Sequence, residues 1–515
     1  MSANPAAANA AAAATPTAAG GDGLLIAVVV MANIMQAIDL TITNIALSTI
    51  AGQLGATLNE ASWLLTAYVI GAALGLPPTA YLNDRLGRRT LFMIAVAGFS
   101  GASLFCGLAT SLEALTVARF LQGLFAAPLA PIGNAVFAST FSKEKLARVL
   151  AYFNMSLLVV PILGPAFGGW VTESFGWRWL FLMNLPIGVL VIAGSLRALP
   201  QTAPRERKMD FTGFFVLAAA LVSMQLVIDH GYDRGYDSPF VVACGFVFAA
   251  AVAMLLVHYA SRPQALIVRL TPLADRNFAL GVAAWIPFSF ALWGGQLLQP
   301  FLFQRQFGHT AVETGLLLMP RALGAFAAMY AYSKISQYLS ASTFLLTGGL
   351  IATASCLWMT QMSPEMTGHW MSLPLATQGI GIGLIVTPLT VLAYSTLPKE
   401  LAAEAATLYY LARTVAAAAG IGLVSAYTQR AFDRYWNEMR ALVDRASQPA
   451  IDYLAPLGLA PESAQGAALI AAEVTRQANM AAFIDGHWLA AAATASLIPL
   501  ALLLRAGVPA KPKSA

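Results

Sequence analysis

Charge is what this sequence has least of. Only 10% of its 515 residues are Asp, Glu, Lys or Arg, against roughly a quarter in soluble domains, and 58% are hydrophobic. So few charges cannot cover a soluble globular surface. No basic stripe interleaved with aromatics occurs, so nucleic acid is not an expected partner. Cysteine is equally scarce. Cys106, Cys244 and Cys356 each fall within an apolar run, with no paired spacing, which argues against a disulfide framework or zinc cluster. Residues 1–23 contain no Lys or Arg and so lack the charged leader of a signal peptide. They read as a disordered tail, and the first apolar run reads as a retained membrane helix. No metal-ligand cluster, nucleophile–base–acid order or phosphate loop appears, so neither an enzyme nor a cofactor is expected; "GIGIG" at 379–383 lies in an apolar helix and reads as packing.

What the chain does have is apolar runs of about 20 residues, the length needed to cross a bilayer as helix. There are about 14: 24–48, 62–82, 91–109, 113–138, 149–171, 178–198, 212–230, 239–259, 279–302, 312–333, 342–361, 370–394, 405–427 and 486–505. The expected class is an all-α integral membrane protein. Basic residues concentrate in the short loops of one side: Arg85, Arg88, Arg89, Lys143, Lys145, Arg148, Arg205, Arg207, Lys208, Arg262, Arg269, Arg276, Lys334 and Lys399. The other side's short loops offer Arg178, Arg234 and Arg305. By the positive-inside rule the first side is cytoplasmic and carries both termini, while the long loop 428–485 lies outside. Within that loop, "AFDRYWNEMRALVDR" has apolar residues at helical spacing, which fits a helix lying on the membrane, a cap on the bundle, or a docking surface for another protein.

A weak internal repeat runs through the chain. "WLLTAYVIGA" resembles "LLLMPRALGA", aligning Gly71 with Gly324, an offset of 324 − 71 = 253. "QG" at Gln122 recurs at Gln378, and Gly164 pairs with Gly420, both at 256 (378 − 122 and 420 − 164). Agreement within a few residues suggests two parallel six-helix halves, 24–200 and 271–510, joined by two inserted helices within 201–270. Parallel halves about an axis along the membrane normal are a transporter architecture.

Two charges stand out within spans. Asp39 in "AIDLTITNIAL" and Arg119 in "ARFLQGLFAAPLAPIGN" interrupt otherwise apolar helices, and such residues usually face the bundle interior. Counted at 1.5 Å per residue from the same membrane face, Asp39 lies about 12 Å deep and Arg119 about 9 Å. They can pair directly or through water if their helices are neighbours. The pair is then either a static brace or a proton carrier, because a carboxylate whose surroundings change during a transport cycle can bind and release a proton. Gln36, Tyr68, Gln122, Arg321 and Arg413 are further intramembrane polar residues suited to a substrate contact or a gate; the two arginines could equally pair with backbone carbonyls. Asp229, His230, Asp485 and His487 sit at span ends and read as interfacial and solvated.

Three strings carry a family resemblance. "YLNDRLGRRT" resembles the loop signature of the major facilitator superfamily, with Ala80 where the pattern has its first glycine. "GPAFGGW", with Gly164, Pro165, Gly168 and Gly169, followed by "WRWLFLMNLPIG", resembles the motif of drug:proton antiporters. "IDLTITNIALSTIAGQLG" followed by "SWLLTAYVIGAA" is similar to the 14-helix EmrB/QacA branch, with Ser48 where a proline is usual. The resemblance implies a major-facilitator fold and proton-driven export of hydrophobic or amphipathic compounds across the inner membrane, with the proton gradient as energy source and Asp39 and Arg119 coupling the proton. It implies a gating role for Asp84, Arg85, Gly87, Arg88 and Arg89, and partnership with a periplasmic adaptor and outer-membrane channel. A proton-coupled metabolite carrier is the alternative.

Overall fold

The computed structural model describes residues 21–141, 149, 153, 164, 166–202, 209–261, 270–336, 338–363, 366, 368–398, 401–443, 448–461 and 463–504. The tail 1–20, most of the expected fifth span with Pro165, and Lys143, Lys145, Arg148, Arg205, Arg207, Lys208, Arg262, Arg269 and Lys399 lie outside the described residues, as does the Asp229 side chain.

Among the described residues all regular structure is helical, and 13 helices are long and apolar enough to cross a bilayer. That is the form a chain must take in lipid, where each backbone N–H and C=O needs a partner within its own segment. In chain order the spans are 1 (Gly21–Leu54), 2 (Leu58–Leu86), 3 (Arg88–Leu108), 4 (Leu112–Ala126 continuing as Leu129–Thr140) and 6 (Trp179–Leu182 continuing as Asn184–Ala198). Of span 5 the end at 166–175 is described and helical. Spans 7 (Phe211–Arg234) and 8 (Pro239–Ser261) follow. Then come spans 9 (Arg276–Ala283 and Trp285–Phe301), 10 (Ala311–Ile335), 11 (Ala341–Met359), 12 (Ser372–Tyr394), 13 (Ala402–Leu442) and 14 (Ala464–Ala495 and Leu497–Leu503).

The repeat appears in local detail. Span 2 begins after Gly55 (φ 67°) and span 10 after Gly308 (φ 70°), each supplying a left-handed turn that glycine adopts without penalty. Each helix then starts on a capping box. Thr57 Oγ1 accepts from the Glu60 N–H at 3.2 Å while Glu60 accepts from the Thr57 N–H; Thr310 and Glu313 repeat the exchange. Two N–H groups that a helix start leaves bare are satisfied this way. Further along, spans 2 and 4 cross through paired glycines, Gly71 against the Phe120 carbonyl and Gly123 against the Tyr68 carbonyl. Spans 10 and 12 cross through Gly324 against Ala376 and Gly379 against Arg321. No side chain fits at any of the four.

Each half buries its own core. One cluster is built mainly from spans 1–6 around Phe92, Phe99, Phe137 and Phe181, and another from spans 9 and 11–14 around Trp285, Phe288 and Leu389. Spans 7 and 8 pair as a hairpin, with span 7 against spans 13 and 2. Within its apolar window 89% of span 2 is buried but 17% of span 8, so span 2 is central and span 8 peripheral.

Three expectations are corrected. The segment 81–90 is not an open loop: span 2 runs through Leu86 and span 3 starts at Arg88, leaving Gly87 as the joint. Asp84 therefore lies in the last turn of span 2, and the departure at Ala80 does not interrupt that helix. The outer loop 428–485 is largely helix. Span 13 continues unbroken for 41 residues to Leu442, so "AFDRYWNEMRAL" forms no separate surface helix; Trp436 lines a cleft with Ile470 and Val474 of span 14. His487 is buried, with Nδ1 3.1 Å from the carbonyl of Phe483 one turn earlier.

Candidate functional site

Asp39 and Arg119 meet in the core of the first half. Both side chains are fully withdrawn from solvent, with Arg119 Nη1 donating to Asp39 Oδ2. The other carboxylate oxygen, Oδ1, accepts from Gln122 Nε2 at 2.8 Å and from Asn184 Nδ2 at 3.2 Å. Both amides also donate to Ser103 Oγ, at 2.6 and 3.2 Å. Arg119 donates further to Gln122 Oε1 at 2.6 Å and, through Nε, to the Leu64 carbonyl at 3.2 Å. Its guanidinium carbon stands 4.4 Å from the centre of the Tyr68 ring, a cation–π distance. Gln36 lies close to the Tyr68 hydroxyl without forming a bond of regular geometry. Spans 1, 2, 3, 4 and 6 thus converge on one carboxylate. A buried ion is stable only when paired and hydrogen-bonded in this way.

The helical frame explains how span 4 reaches span 2. Gly123 follows Gln122 and packs on the carbonyl of Tyr68, which brings Arg119, one turn earlier, onto the Tyr68 ring. Asn184 and Ser103 were not singled out from sequence. Asn184 lies inside the quoted string "WRWLFLMNLPIG", where an amide within an apolar run was the available signal; Ser103 carried none.

At the joint between spans 2 and 3, Gly87 has φ 80°, and an added Cβ would lie 2.6 Å from the Thr202 carbonyl. Thr202 also accepts from the Arg88 N–H at 2.9 Å, and Arg88 Nη1 donates to the Ala135 carbonyl at 3.3 Å. Arg85 Nη1 donates to the Tyr81 hydroxyl at 3.2 Å. Asp84 accepts weakly from the Asn83 amide at 3.5 Å, and Arg89 is half-buried. The motif therefore ties spans 2, 3 and 4 to the segment after span 6.

The glycines of span 5 face two ways. A Cβ on Gly168 would lie 2.8 Å from Ile42 of span 1, one turn from Asp39, and one on Gly169 would lie 2.5 Å from the Ala311 carbonyl of span 10. Gly164 is buried. The halves are joined nearby: Glu173 accepts from the Val312 N–H at 2.8 Å, Gln304 donates to the Ile45 carbonyl at 3.0 Å, and Ser48 donates to Gln304. All three bonds lie at the membrane face opposite Gly87. Between the halves near that face is a cleft lined by Asn44, Ser48, Leu298, Gln304, Thr428 and Asn479.

In the second half, Arg321 Nη1 donates to Gln299 Oε1 at 2.7 Å, and Gln299 donates to Gln378 at 3.0 Å. Arg413 lies apart, its guanidinium carbon 4.9 Å from the Trp285 ring centre. The structure does not bring Arg321 and Arg413 to Asp39.

Two parallel helical bundles, one holding a buried ion pair and joined to the other at one membrane face, are the construction of a multi-pass secondary transporter. The family model described as Major Facilitator Superfamily matches residues 29–421, and the chain belongs to that superfamily. It is similar to the multidrug export protein EmrB of Escherichia coli K12, 28% identical over 90% of this chain and 91% of that one. It is also similar to the probable multidrug resistance protein EmrY of the same organism, 29% identical over 81% and 82%. The fatty acid resistance protein FarB of Neisseria gonorrhoeae is 28% identical over 78% and 79%. Among solved structures, a bacterial homolog of the human lysosomal transporter Spinster, inward-facing and unoccupied, shares the fold with TM-score 0.60 at 18% identity, covering 96% of this chain and all of that one.

Proposed function

We propose that this chain is a proton-driven exporter of hydrophobic or amphipathic drugs, working by alternating access in the inner membrane with both termini cytoplasmic. The export reading rests on its similarity to multidrug export proteins, and the orientation on the basic loops. The proton step rests on one observation, the Asp39 carboxylate held by Arg119, Gln122 and Asn184 inside the first half.

A proton on Asp39 cancels its charge and removes the counter-ion of Arg119. Arg119 also bonds the Leu64 carbonyl and covers Tyr68, both in span 2, and span 2 packs against span 13 of the second half. The charge state of one carboxylate thereby bears on the interface between the halves. Gly168 and Gly169 let span 5 lie close enough to spans 1 and 10 to follow the movement, and the joint at Gly87 anchors the opposite face as a gate with Asp84, Arg85, Arg88 and Arg89. The membrane potential contributes about 2.3 kcal/mol per charge per 100 mV.

The test uses proteoliposomes loaded with a lipophilic cation. Asp39→Asn loses transport driven by an imposed pH gradient while keeping substrate-for-substrate exchange. Full gradient-driven export by this variant would refute the proton assignment, and substrate accumulating on the side to which protons flow would mean symport. The helices that continue spans 13 and 14 beyond the membrane are the proposed seat of a periplasmic adaptor that leads to an outer-membrane channel. Leu442, Tyr453 and Leu457 are exposed at their tip.

A further inference from the structure

We infer that Arg321, Gln299 and Gln378 form a binding site for the carboxylate of an amphipathic organic acid, in front of Gly295. The inference deepens the transporter reading by assigning a substrate class to the second half.

The first half provides the comparison. There Gln122 Nε2 donates to the carboxylate of Asp39, and Cys106 of span 3 contacts the same glutamine at 3.8 Å. In the second half Gln378 takes the place of Gln122 by the repeat offset, and its amide contacts Cys356 of span 11 at 3.9 Å. The glutamine and cysteine thus recur, and so does a nearby arginine, but the carboxylate does not. Among the described residues no acidic side chain lies within ion-pair distance of Arg321. Span 9 passes this point at Gly295, and a Cβ there would lie 3.4 Å from Gln299 Nε2 and 3.7 Å from both Arg321 Nη1 and Gln378 Nε2. These are ordinary contact distances, so the glycine is not required by crowding. All three neighbours are N–H donors.

Gln299 and Gln378 are buried, and Arg321 is half-buried. Among the described residues the arginine donates to Gln299 Oε1, while a guanidinium carries five N–H donors. Gln299 offers that cation a neutral carbonyl but no counter-charge, and charged residues within membrane spans commonly pair with an opposite charge. An incoming carboxylate supplies it, with Gln378 Nε2 available because its present acceptor is only a thiol sulfur. The apolar part of the ligand then extends along span 9, whose sequence "WIPFSFALW" is rich in aromatic residues.

Equilibrium binding tests this without a proton gradient, so its failure is separate from failure of the proton mechanism. Full-length protein in lipid nanodiscs is titrated with 1-pyrenebutyrate and with its trimethylammonium counterpart, read by pyrene fluorescence anisotropy. Arg321→Gln weakens the anion about ten- to hundredfold, the range for loss of a charge-assisted contact, and leaves the cation within about twofold. Gly295→Asp gives the same selective loss by supplying Arg321 with a carboxylate of its own. Gly245→Ala, in span 8 with nothing within 4 Å of the added methyl, binds both probes as the parent does. The proposal is overturned if the parent binds pyrenebutyrate no better than Arg321→Gln does, or if Arg321→Gln weakens both probes alike.

Discussion

The two members of the buried ion pair are not equivalent, and their removal separates them. Asp39→Asn leaves Arg119 in the core with Gln122 Oε1 at 2.6 Å and the Leu64 carbonyl at 3.2 Å, but with no negative charge. A guanidinium cannot shed its proton, so the variant keeps an uncompensated buried ion. The cost is about 3–5 kcal/mol, the range for breaking a buried pair from one side. Arg119→Gln leaves Asp39 with donors from Gln122 and Asn184, and a carboxyl group in that position can neutralise itself by binding a proton. The loss is then that of a charged hydrogen bond, about 1.5–3 kcal/mol. The double variant removes both charges and falls short of the sum, giving a coupling energy within the roughly 0.5–3 kcal/mol seen for contacting residues. Apparent melting temperatures of purified protein in one detergent, followed by tryptophan fluorescence, give the order. Asp39→Asn melts lowest, Arg119→Gln lies between it and the parent, and the double variant melts above Asp39→Asn. If Arg119→Gln is the less stable single variant, or if the two losses simply add, the reasoning fails.

Two further outcomes are expected. Gly123→Ala and Gly379→Ala each place a methyl group against a backbone carbonyl of the crossing helix, which cannot rotate away, so each costs about 1–3 kcal/mol from overpacking; Gly101→Ala, where nothing lies within 4 Å, is the neutral control in the same melting assay. Replacing 443–463 with a short Gly–Ser linker leaves transport in proteoliposomes within about twofold and abolishes cross-linking to the proposed periplasmic adaptor in cells, because those residues connect spans 13 and 14 along the chain; intact cross-linking rules out the hairpin tip as the seat.

Much of this architecture could be read from the chain. Apolar run length gave the spans, and the offsets of 253 and 256 reappear as the matched glycine crossings of spans 2 with 4 and 10 with 12. Counting helical rise from a common face put Asp39 and Arg119 at similar depth, and the packing of spans 1 and 4 in the structure brings them into direct contact. What periodicity could not supply was the set of neighbours from distant helices. Asn184 reaches Asp39 across 145 positions, and the order in which helices surround span 1 decides that contact. The extent of span 13 was missed for a different reason. Apolarity marks where a helix leaves lipid, not where it ends, and the charged residues after Thr428 continue it in water. Position at a span end does not separate His487 from Asp485: Asp485 is drawn to Arg434 and Tyr435, while His487, two positions later, is buried.

The length of span 13 carries one more implication. At 1.5 Å per residue, 41 helical residues extend about 60 Å, twice the thickness of the hydrocarbon layer. Its inner part is packed against span 2, close to the ion pair's own helix, and its outer part is bolted to span 14 by Arg434, Tyr435 and Asp485. Such a rod works as a lever with its fulcrum in the membrane. A tilt of about 10° around the bilayer midplane sweeps the far tip by several ångströms, so a protein gripping that tip would feel each turnover as a mechanical stroke.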